Sequence, residues 1–125
     1  MKLLATTLLL LISGVIFLHT KAQNPTINIE GTAASIVSKL SKSLVLTEQQ
    51  QPKLLTLVTN YLQQKTNLQA LKGSNEKAYQ TKLHSMQNGL NTRLKALLGA
   101  EQFNNYLNLK PAAPDATNVL TYLYY

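Results

Sequence analysis

From Thr32 onward the apolar residues Ile36, Val37, Leu40 and Leu44 recur at helical spacing, with Lys39 and Lys42 turned to the other side, which predicts a short first helix. A second, longer stripe runs through Leu54, Leu55, Val58, Tyr61, Leu62, Leu68 and Leu71 and predicts a helix that stops at Gly73. Pro52 falls near the start of this stripe, where it removes one backbone bond and predicts a local bend without a break. The third stripe, Tyr79, Leu83, Met86, Leu90, Leu94 and Leu97, advances 18 residues in five steps, a mean of 3.6, which is the period of a straight globular helix. Gly73-Ser74-Asn75 is a short connection, which favours antiparallel packing of the third helix on the second. Gly99 can end the third helix and open a fourth, Ala100 to Leu109, with Phe103, Tyr106 and Leu107 on its apolar side. The fold class is therefore all-α: a small helical hairpin or bundle of about four helices.

The stretches outside these stripes divide the rest of the chain. Residues 23–31, with Asn24, Pro25, Asn28 and Gly31 and no lasting period, predict a flexible N-terminal arm. The helical domain occupies 32–110. Residues 111–125 form a tail in which Pro111, Pro114 and Asp115 make an irregular linker before Val119-Leu120-Thr121-Tyr122-Leu123-Tyr124-Tyr125, an aromatic end of high strand propensity. A lone strand makes no sheet, so this end folds back on the helices, pairs with a partner or frays.

The N-terminus changes the picture of where the domain works. Lys2, the apolar run Leu3 to Leu18 and the polar stretch ending at Ala22 have the three parts of a secretion signal, with Thr20 and Ala22 at the small-residue positions before a cut at Gln23. The rival reading, a membrane anchor, needs roughly 20 uninterrupted apolar residues, and this run is shorter and carries Thr6, Thr7, Ser13 and Gly14. The expected location is periplasmic, with membrane contact only through the uncleaved signal peptide of residues 1–22. No cysteine is present, so the fold stands on packing without disulfides. Losing Lys2 and Lys21 reduces the 12 basic residues to 10 against 5 acidic ones, a net charge of +5. Export and scattered lysines argue against nucleic acid, and favour acidic polypeptide segments or anionic surfaces as partners.

Two segments share a pattern: Leu46-Thr47-Glu48-Gln49-Gln50 and Leu98-Gly99-Ala100-Glu101-Gln102. In each, a leucine precedes the helix cap and a glutamine stands three residues after it, where it can reach back to the cap amide as a capping box. In the second copy Phe103 stands where it can staple the leucine, whereas Gln51 holds that place in the first and leaves Leu46 to find Leu54 or Leu55. Gly99 replaces the threonine of the first copy, so Thr47 is expected to be the more valuable cap.

The paired motif in a small, basic, cysteine-free, exported helical chain resembles the LTxxQ-motif family of periplasmic, Spy-like proteins, over roughly Leu44 to Leu109. The resemblance implies a hairpin that pairs as a homodimer into a thin curved cradle, and a stress-response role: ATP-independent chaperone-like holding of unfolded proteins, or damping of an envelope sensor. The aromatic tail is not part of the shared pattern.

Catalytic chemistry finds no constellation in this sequence, which reads as non-enzymatic and free of cofactors. His84 is the only histidine after the signal segment and lies off the apolar stripe, so it reads as a solvated side chain before it reads as a metal ligand. Glu48, Glu76 and Glu101 sit in first turns where the helix dipole accounts for them. Lys82 and Arg93, 11 residues and about three turns apart, share one flank of the third stripe and either border a client-binding groove or solubilise the helix. The function expected is a non-enzymatic binding protein for unfolded envelope proteins; the alternative is a structural or regulatory module that docks onto one envelope partner.

Overall fold

The computed structural model describes residues 27–125. The expected signal peptide, residues 1–22, and the first four residues of the expected arm lie outside the described residues. Four helices follow: α1 (Ile29–Leu44), α2 (Gln50–Leu68), α3 (Glu76–Asn108) and the single turn α4 (Thr121–Tyr124), with no strand among the described residues. The architecture is the expected small all-α bundle. The second helix is its middle element, packed against α1 on one side and α3 on the other, while α1 also touches α3.

The first and third helices each begin at an asparagine cap. Asn28 accepts the Gly31 amide at 3.0 Å, so α1 starts at Ile29 and takes in Gly31, earlier than the apolar stripe alone predicts. Asn75 does the same for α3 through the Ala78 amide at 3.1 Å. The regular part of α2 ends at Leu68 and tightens into a 3₁₀ turn, Gln69–Leu71, before Gly73 reverses the chain at φ 94°. Pro52 sits inside α2 without interrupting it.

The third helix is one element only in outline. Gly99 stands at φ 75°, ψ 174°, outside helical geometry, and divides it into 76–98 and 100–108. This is the boundary that Gly99 predicts. Backbone of that kind is open to glycine and strained for any other residue.

The core joins all of these segments: Ile36, Leu40, Leu54, Val58, Leu62, Leu94, Tyr106, Leu120 and Leu123 are each at most 2% exposed. Met86, Leu97 and Phe103 pack against it partly buried. Two predicted stripe members depart from the pattern, Leu55 at 39% and Leu107 at 45% exposure. Each lies at the edge of a stripe wider than the surface available to cover it.

The aromatic end folds back on the helices as a helical turn, where strand propensity alone points to an extended segment. Two local devices decide this. Asp115 Oδ1 accepts the Thr117 amide at 2.9 Å and Asn118 Oδ1 accepts the Leu120 amide at 3.0 Å, two Asx turns that wind the chain just before α4. Winding then places Leu120 and Leu123, three apart, on one buried side.

Candidate functional site

The two motif copies meet. In the first, Gln50 Oε1 accepts the Thr47 amide at 3.0 Å and Thr47 Oγ1 accepts the Gln50 amide at 3.2 Å, a complete capping box. The amide of Gln50 points onward to the second copy, donating to the Leu97 carbonyl at 3.2 Å and to Gln102 Oε1 at 2.7 Å. Gln102 Nε2 in turn lies 3.3 Å from Gln50 Oε1 and from the carbonyls of Leu44 and Val45 at the end of α1. Each glutamine thus satisfies carbonyls left over where the helix before the other copy ends. Leu46 and Leu98 are buried beneath this clasp at 8% and 5% exposure, and Leu54 shares their cluster.

At the edge of the clasp stands Val45, which closes α1 in the left-handed conformation, φ 53°, ψ 61°. A β-branched residue there is strained, and its side chain is 79% exposed, so burial does not compensate. Its carbonyl is held by Gln102, and the next amide, that of Leu46, returns to the Ser41 carbonyl at 3.1 Å.

Lys82 and Arg93 stand over one groove. Between α2 and α3 a recess of about 380 Å³ is lined by Leu57, Asn60, Tyr61, Gln63, Gln64, Met86, Leu90 and Arg93. A second, of about 360 Å³, continues it past Gln64 and Met86 to Asn67, Leu68, Ser85 and Lys82. Leu57, Met86, Leu90 and Leu68 give the two recesses apolar ground, mixed in the first with Asn60, Gln63 and Gln64; Arg93 borders the first and Lys82 the second, and no carboxylate is among the lining residues. The backbone positions of the two cations are about 16 Å apart along α3 at 1.5 Å per helical residue. Both are exposed. The Arg93 guanidinium folds over Gly89, where an added Cβ would stand 3.5 Å from Nη1. Two larger recesses, of about 580 and 480 Å³, lie along α1 beside Ala34, Ser38 and Lys42; serines and lysines line most of the first, and Val37, Pro52 and Leu55 join them in the second.

Tyr61 gives the base of the groove a buried polar atom. Its hydroxyl has no hydrogen-bond partner, and the Gln87 amide faces it outside good bonding geometry. Burial pushes this hydroxyl up to about 12 from the usual 10, with the Gln87 amide opposing. Burial also raises Tyr106 and Tyr124, which stack with ring centroids 4.9 Å apart. Desolvation lowers Lys65, with Lys72 adding to the effect.

His84 is exposed, and among the described residues no group of three or more His, Cys, Asp or Glu side chains is placed to hold a metal ion. No helix among them is long and apolar enough to cross a membrane. The sequence signalled the clasp only as two separate caps, and gave no sign that their glutamines bond to each other. No known protein family, characterised protein or solved structure matches this chain.

Proposed function

We infer that the protein is a non-enzymatic, periplasmic binding protein of the LTxxQ, Spy-like type that holds unfolded or stress-damaged envelope proteins without ATP. The α2/α3 groove carries this reading: a trench of mixed apolar and amide lining with a cation at either end, whose neutral amides make no strong demand on sequence. Its apolar ground supplies roughly 25 cal/mol per Å² of surface covered, and the positive ends draw acidic chains from a distance that salt screens over about 8 to 10 Å. Capture is then salt-sensitive and retention less so. Dimerisation into a cradle, as the resemblance implies, would set two such grooves side by side.

Light scattering from two unrelated, chemically denatured proteins tests the reading at low and moderate salt. Protection without nucleotide, weaker as salt rises and weakened again by Lys82→Gln with Arg93→Gln, is the expected result. No protection of either at several-fold molar excess sinks it.

One observation favours the alternative of a module that docks onto a single envelope partner. Val45 is a strained, exposed apolar side chain held at one end of the bundle, which suits one defined contact better than promiscuous holding. Recovery of a single stoichiometric partner, lost in Val45→Gly, would promote that reading.

A further inference from the structure

The end of the chain covers apolar ground on the helices with a pattern of its own. Leu120 and Leu123 are 1% and 2% exposed, and Tyr124 stacks on Tyr106 while its hydroxyl donates to the Tyr106 carbonyl. These are the i, i+3 and i+4 positions of one helical turn, the spacing with which a short amphipathic helix enters a groove. The leucines share their buried cluster with Leu40 of α1 and Leu62 of α2.

Polar contacts from α2 and α3 frame the turn without reading its side chains. Lys65 donates to the Tyr122 carbonyl at 2.9 Å and Gln87 to the Tyr124 carbonyl at 3.5 Å, and any sequence offers those groups. Selection therefore rests on the two leucines and the tyrosine. The occupant is short: α4 is four residues long, far below the roughly 12 to 15 that hold as an isolated helix, so it keeps its shape only through its contacts, among them Lys39 with Asn118 and Tyr125 with the Pro111 carbonyl. The cleft, by contrast, belongs to the packed helices.

We propose that this cleft is a docking site for a Leu-x-x-Leu-Tyr helical turn, filled in cis by the chain's own end and open in trans to a partner protein that presents the same pattern. It shares no residue with the lining of the α2/α3 groove and does not depend on the holding function. A tethered occupant acts at millimolar effective concentration, so the closed site admits outside ligands poorly and the vacated one admits them well.

The experiment uses the whole chain and a fluorescein-labelled peptide reproducing residues 115–125. In the variant Leu120→Asp with Leu123→Asp, the helical circular dichroism should persist and the peptide should bind at least about tenfold more tightly than to the unaltered protein. A peptide carrying the same two aspartates should not bind. A variant that stays helical yet binds no better overturns the proposal, and so does one that loses its helices, since the tail is then part of the core. Hydrogen exchange on the unaltered protein gives a second measure that needs no variant. Amides of 120–125 should exchange far faster than those in the middle of α2, and equal protection overturns the proposal. A doubled mass with tails exchanged between copies overturns the partner-protein occupant in favour of a second copy of this chain.

Discussion

Gln50 and Gln102 cap each other's preceding helix. Gln50 reaches the Leu97 carbonyl and Gln102 the Val45 carbonyl, each one residue before a motif leucine, so a single pseudo-symmetric pair ties together segments 52 residues apart. Replacing either glutamine by leucine strips partners from part-buried carbonyls and from the surviving amide, a loss of about 1–3 kcal/mol in denaturant unfolding. The double replacement should cost less than the two singles together, by about 0.5 kcal/mol or more, because both singles break the same contact. Strict additivity would show the clasp to be energetically idle.

Counting the Gly99 backbone, the two caps are expected to rank in the reverse of the order the motif alone predicts. Thr47→Ala removes one side-chain bond to the helix start and should cost about 1 kcal/mol. Gly99→Ala meets no steric neighbour, yet it forces a Cβ onto backbone at φ 75°, ψ 174°, and should cost about 1–3 kcal/mol. Chemical melts of the two variants rank them directly.

Val45→Gly should stabilise the protein by up to about 1 kcal/mol. Relief of the left-handed strain of a β-branched residue outweighs the extra freedom glycine has when unfolded, and little burial is lost. A fall in melting temperature would mean that the valine side chain makes a stabilising contact after all.

Alkaline titration should unfold the protein through its tyrosines. Tyr61 ionises at about 12 in the folded chain and near 10 when unfolded, so its contribution is intact below pH 10 and is lost progressively as pH rises from 10 to 12. Two pH units correspond to about 2–3 kcal/mol, and the raised Tyr106 and Tyr124 act in the same direction. Thermal melts from pH 8 to 12, read beside tyrosinate absorbance, follow both events. Tyr61→Phe should flatten part of this loss and leave neutral-pH stability equal or slightly higher, because the hydroxyl it removes has no partner.

Helix periodicity made most of the fold legible, because the period of 3.6 is a local property that survives without knowledge of the neighbours. Leu40, Leu54, Val58, Leu62, Leu90 and Leu94 are buried where their stripes put them, and Thr47 with Gln50 forms the box their spacing allows. The same reasoning placed Lys82 and Arg93 on one flank of α3, and the groove between them runs along that flank. What escaped depends on which ends meet. Nothing in a five-residue pattern says that Gln102 faces Val45. A valine gives no hint of a left-handed backbone, whereas Gly73 and Gly99 announce their turns. The tail misled because strand propensity describes side chains on a pleated surface, whereas Asp115 and Asn118 wind this segment through bonds to its own backbone.

The short segment after Gly99 carries two attachments on one side. Gln102, in the clasp, and Tyr106, under Tyr124, are four residues apart and therefore stacked on the same face, one turn above the other. One turn of helix is thus both buckle and strap anchor. The segment after Gly99 is thus fixed on one face by two different kinds of contact, an amide clasp toward the helix ends and a ring stack toward the tail.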